Sequence, residues 1–112
     1  MIIETKYNVG HKFIVPRCRK NYVVEELTYE GEVWQRKVDS YEAFTKVKEI
    51  IGVDIYVHRD NSIRVCYKVV TEGDYNTLSQ HYEEEAITDF TEEKAMTIAK
   101  YYAEKGEEYY GN

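Results

Sequence analysis

Three histidines (His11, His58, His81) and two cysteines (Cys18, Cys66) are the residues of this 112-residue chain best suited to metal binding or nucleophilic attack. Zinc needs ligands at short, characteristic spacings, and no Cys or His pair here has them. A Cys–His couple, Cys18 or Cys66 with His58, is formally available, but no activating pattern accompanies it. The carboxylates of "YEEEA" could meet a cation, yet they lack the Asp/Asn spacing and the glycine of a calcium loop. The six glycines stand alone, so no phosphate-cradling loop is present. The expectation is a protein without catalysis, metal or cofactor, with Cys/His-dependent activity as the one exception.

Charge offers a different chemistry. The stretch "HKFIVPRCRKNY" sets Lys12, Arg17, Arg19 and Lys20 on a β-prone segment ending in Tyr22. Residues 1–23 hold five cations against Glu4, a balance of +4. Residues 71–112 hold eleven acids against three lysines, a balance of −8, within a net charge of −6. Such polarity has an internal explanation, the first strand's cations lying against the C-terminal carboxylates. It also has two functional ones. In the first, an acidic, tyrosine-rich face of Glu83, Glu84 and Glu85 with Tyr82 and Tyr101 occupies a basic groove on a host protein. In the second, Lys12, Arg17, Arg19, Lys20, Tyr22, Trp34 and Arg36 hold a small anionic or nucleotide-like ligand, an aromatic ring stacking its base and an arginine pairing its phosphate. The acidic net charge argues against duplex nucleic acid, whose binders gain affinity by releasing counterions with many Lys and Arg contacts.

Elements must position these residues. Strict alternation marks "GVDIYVH" and "IRVCYKVV" as strands around the polar turn "RDNS", with Val53, Ile55, Val57, Ile63, Val65, Tyr67 and Val69 facing inward. "FIV", "NYVVEELTY" and "VWQRKV" are likewise β-prone, reversing at "YEGE" around Gly31. Alternation puts Arg17 and Arg19 on one face with Val15, and Trp34 with Arg36. Residues 41–51 fit either a strand or a helix capped by Ser40. The expectation is a long strand bent at Gly52. A short strand is expected over 87–90. A helix over about 91–105 is marked by Thr91 as N-cap, Glu92 and Glu93 in the first turn, the stripe Ala95, Ile98, Ala99 and Tyr102, and Gly106 as its stop. The chain is read as one domain, 1–112, of α+β class: a small antiparallel, partly open β-barrel with one C-terminal helix.

The opening "GHKFIV" and the ending "ITDFTEEKA" resemble small SH3-like barrel proteins with a C-terminal helix, encoded mostly by bacteriophages and mobile elements of Gram-positive bacteria. That resemblance covers about 25 residues directly and implies a barrel fold. It further implies a phage accessory or anti-defence protein that acts by binding, an analogy drawn from fold alone.

Composition agrees with an ordinary globular chain: 43% hydrophobic and 32% charged residues, with a single proline, Pro16. Twelve tyrosines are an excess suited to strands and recognition surfaces. Two cysteines are too few for a disulfide framework, so reduced thiols are expected, with a Cys18–Cys66 bridge as the alternative. No run reaches the roughly 20 apolar residues of a membrane helix, and "MIIETKYNVG" lacks the features of a secretory leader. A protein of the bacterial host's cytoplasm is expected, with a host protein or a small anion as partner. Homo-oligomerisation stays open.

Overall fold

The computed structural model describes residues 3–76 and 78–111. Four strands form one antiparallel meander in chain order: β1 (Lys12–Tyr29), β2 (Glu32–Val57), β3 (Ile63–Thr71) and β4 (Gln80–Glu83). A single 3₁₀ turn at Glu84–Ala86 follows, then helix α1 (Glu92–Lys105). The class is α+β, as the residue patterns predict. The sheet is an open one, with β1 and β4 at opposite edges and no pairing between them, so the expected closure is not seen among the described residues. The physical reason lies in length. β1 and β2 run 18 and 26 residues, far beyond the 4-residue β4, and cannot curl into a small barrel.

Each reversal has local chemistry. Glu30 and Gly31 both take positive φ (51° and 78°), the pair that a two-residue hairpin turn matching strand twist requires. At the second reversal Asp60 accepts from the Ser62 amide at 2.9 Å and its hydroxyl at 2.6 Å, while Asn61 adopts φ 66°. Residues 41–51 are strand throughout, and β2 slips register between Ile50 and Gly52, so Gly52 marks a bulge where the bend was expected.

Partners directly opposite in the register share a face, which assigns the two sides of the sheet. One carries Phe13, Val15, Ile50, Tyr67, Val69 and Tyr82, and these form the buried core with Tyr7 and Ile87. Val53 and Val65 pack beside it as predicted. Ile55, Val57 and Ile63, also expected to face inward, are instead 43%, 59% and 41% exposed because the sheet runs past its covering layer. The other side carries Pro16, Cys18 and Tyr41, against which α1 docks. Ala95 and Ala99 are fully buried, and Gly106 lies against the Tyr41 ring. Thr91 Oγ1 accepts from the Lys94 amide, and Gly106 closes the helix at φ 69°. Cys18 and Cys66 are both buried, unbridged thiols. The strand expected over 87–90 is instead irregular chain linking the 3₁₀ turn to α1. β4 ends earlier, at Glu83.

A projecting ribbon as candidate interaction site

The core occupies one end of the sheet only. β3 begins to pair with β2 at Lys48, α1 and the N-terminal segment cover residues 12–18 and their partners, and beyond these the β1–β2 hairpin continues uncovered. The result is a molecule measuring 78 × 29 × 27 Å. Residues 20–40 form the two-stranded arm that accounts for the long axis. At about 3.4 Å per residue, each of its strands reaches roughly 30 Å past the core.

The arm is rich in uncovered apolar surface. Tyr22, Val23, Val24, Leu27, Tyr29, Val33 and Trp34 are all between 43% and 69% exposed. Val23 opposes Val38 and Leu27 opposes Trp34, so these four lie on one face. Glu25 and Arg36 stand between the two pairs on that face and are joined by a hydrogen-bonded ion pair of 2.9 Å. The tip, residues 25–36, holds Glu25, Glu26, Glu30 and Glu32 against the single cation Arg36. A two-stranded ribbon is at best marginally stable in water, and contiguous apolar surface of this kind marks interaction sites. What the arm offers chemically is an aromatic and aliphatic surface inside an acidic rim.

Most predicted site residues have partners within the fold. Arg19 is paired with Glu42, directly opposite on β2, at 2.8 Å, and Lys20 with Asp39, diagonally across on β2, at 3.2 Å. Those carboxylates hold the two cations' pKa values above their ordinary range, and Arg19 in turn holds Glu42 below its own. Lys12 pairs with Glu72. The first strand's cations are therefore neutralised largely by β2 and the β3–β4 connection. Pairing with the last strand and helix, the expected arrangement, gives way to the nearer cross-strand carboxylates. Arg17 is buried at 6% exposure and donates to the Pro16 and Gly111 carbonyls. Trp34 lies ten register steps from Arg17, about 34 Å along the ribbon, so the basic and aromatic residues form no single pocket.

Of the predicted acidic face, Glu83, Glu84 and Glu85 line one cleft with Ile63, Arg64 and Val65, while Tyr82 and Tyr101 lie elsewhere. Tyr82 is a core residue, its ring edge-on to Phe13 at 5.6 Å, because its position on β4 alternates inward. Glu83 pairs with Arg64 at 2.7 Å. Glu84 accepts from the Tyr67 hydroxyl at 2.6 Å and the Lys6 amide at 2.9 Å, and these donors hold its carboxyl below the usual range. Glu85 is exposed beside them. Tyr101 is on α1, its ring 4.7 Å from the Lys105 ammonium.

Among the histidines, His58 and His81 are exposed, and the His11 ring lies tilted by 35° against Tyr7, their centroids 4.7 Å apart. Among the described residues no group of three His, Cys, Asp or Glu side chains converges as a metal site would require. Among the described residues Lys48 is the one buried lysine, donating to Thr71 Oγ1 at 3.0 Å in a cleft lined also by Val69, Asp74 and Gln80. Burial, with Arg17 and Lys46 nearby, pushes its pKa down. No helix of the described residues is long and apolar enough to cross a membrane.

Sequence reasoning identified the strands of the arm but not its isolation. The available signal was the composition of "NYVVEELTYEGEVWQ", apolar residues on both alternating faces with no polar side. Comparison with family models, with curated proteins and with solved structures finds no match.

Proposed function

We propose that this chain is a non-catalytic binding protein that engages a host protein through the projecting β1–β2 ribbon, whose tip inserts into a groove with apolar walls and basic margins. The observation that carries this reading is the exposure of Leu27, Tyr29, Val33 and Trp34 at the end of an arm that contributes nothing to the core. Large aromatic side chains of this kind dominate protein interfaces, and the surrounding carboxylates select a cationic partner. The acidic, aromatic character expected of the recognition surface is retained, and its place moves from residues 82–85 to residues 25–34. The likeness of "GHKFIV" and "ITDFTEEKA" to phage-encoded SH3-like proteins supports an accessory or anti-defence role in the cytoplasm of a bacterial host. A small anionic ligand is the weaker reading, since Arg19, Lys20 and Arg36 already pair with Glu42, Asp39 and Glu25.

The test is quantitative co-purification from a Gram-positive bacterial extract with wild type and with Leu27→Thr/Trp34→Thr, a cross-strand pair that the ribbon accommodates. Wild type and the double variant should melt alike, because neither residue touches the core. The double variant should lose a protein that wild type retains. Equal recovery by both would contradict the reading.

A further inference from the structure

The two free edges of the arm differ. β2's outer edge is unpaired from residue 32 until β3 begins opposite Lys48, and it carries Arg36, Lys37, Asp39, Glu42 and Lys46. Charges of this kind are how proteins block strand addition. The outer edge of β1 carries Tyr22, Val23 and Val24, which face Asp39, Val38 and Lys37 on β2 and are 62%, 51% and 57% exposed. Both outer backbones are open along the arm, and in its middle the apolar run Tyr22–Val24 lies on β1, opposite a β2 stretch in which Lys37 and Asp39 flank Val38.

Parity fixes which backbone groups are available. Cys18 exchanges both backbone hydrogen bonds with Tyr109 (2.9 Å each), so its amide and carbonyl point away from β2. β1 and β2 pair without a register shift, and every second residue after Cys18 therefore points the same way: Lys20, Tyr22, Val24, Glu26 and Thr28. Tyr109 occupies the edge at Cys18, so any added strand is confined to residues beyond it.

From these relationships we infer that β1 pairs antiparallel with β1 of a second copy of this chain, about a twofold axis at Val24. In that register Val24 opposes its own copy, Tyr22 opposes Glu26, Lys20 opposes Thr28 and Val23 opposes Glu25. No like charges meet. Lys20 of each copy is diagonal to Glu26 of the other, within reach for long side chains. Registers centred one or two residues further on set Glu25 against Glu25 or Glu26 against Glu26, and like charges opposed across strands destabilise pairing. The axis at Val24 also gathers Tyr22 and Val24 of both copies into one apolar strip. The product is a four-stranded sheet that leaves both tips with their acidic rims. This inference stands apart from the host-protein reading, which a monomer would leave intact.

Light scattering after size exclusion, on wild type from about 10 to 500 µM, should show a mass moving toward twice 13.3 kDa. A constant single-chain mass over that range overturns the inference. Val24→Pro removes only an outward-facing amide, which an edge strand tolerates. It should raise the dimer dissociation constant roughly 10- to 30-fold, through two symmetry-related hydrogen bonds. An unchanged constant with an intact circular dichroism spectrum overturns the pairing. Should the proline unfold the arm, Val24→Cys decides. Opposed Cα atoms about 5.5 Å apart can be bridged, so mild oxidation should give a covalent dimer from Val24→Cys and none from Val33→Cys. The reverse pattern, or equal bridging by both, overturns the register.

Discussion

Leu27 and Trp34 stand directly opposite one another across the β1–β2 ribbon, yet both are about half exposed, at 43% and 58%. A cross-strand aromatic–aliphatic pair contributes roughly 0.2–1 kcal/mol to its own ribbon, far less than burying both side chains would. The pair is thus better placed to meet another molecule than to hold this one together.

If the arm lies outside the cooperative fold, its removal is tolerated. Replacing residues 22–39 by an Asn-Gly turn joins Asn21 to Ser40, which already pair across the ribbon, and leaves the core untouched. The shortened chain should retain its thermal transition, with stability within about 1 kcal/mol of wild type. A molten or unfolded product would show that the arm supports the core.

Glu84 links the N-terminal segment to the sheet by accepting from Lys6 and Tyr67, while the Tyr67 hydroxyl itself accepts from the Tyr7 amide. Its carboxyl sits below the ordinary 4.5 in the folded state, so its ionised form favours folding. That contribution is fully present above pH 4.5 and is lost as pH falls through the lowered folded value. Glu84→Gln should cost about 1–2 kcal/mol at pH 7 and give a flatter stability profile below pH 5 than wild type. Parallel acid limbs in urea titrations of the two proteins would remove Glu84 from this role.

Arg17 and Arg19 share a face of β1 but have different functions. Arg19 makes an exposed cross-strand ion pair, and Arg19→Gln should change stability by no more than about 1 kcal/mol. Arg17 is buried and ties β1 to the C-terminal segment through the Gly111 carbonyl. Arg17→Gln should cost roughly 1.5–3 kcal/mol, the range of hydrogen bonds to charged groups. Denaturant midpoints that shift equally would contradict the distinction.

The fold was legible wherever a local rule acted alone. Thr91 with Gly106 bounded the helix, Gly31 placed the hairpin, and alternation on either side of Gly52 identified β2 despite its helical spacing, although the slip between Ile50 and Gly52 puts Val47 and Val53 on opposite faces. The openness of the sheet was not legible, because closure depends on relative strand lengths and on which strands meet. The site was half legible. "YEGE" located the ribbon tip, and Trp34 with Arg36 was assigned correctly to one face. The exposure of Trp34 on an uncovered ribbon was not legible, since a sequence does not show where covering layers end. Tyr82 misled for the reciprocal reason. A tyrosine beside three glutamates reads as surface, but its inward register on a four-residue strand buries it against Phe13.

The central claim, that the ribbon tip is where a host protein binds, is tested most directly by site-specific photo-crosslinking in a Gram-positive extract. A photoreactive residue at Tyr29, on the tip, should yield one dominant protein adduct that excess unlabelled wild type competes away. The same group at Leu78, 95% exposed on the β3–β4 connection, should yield none. An adduct formed from Leu78 and absent from Tyr29 would place the binding surface elsewhere and contradict the ribbon as the functional site.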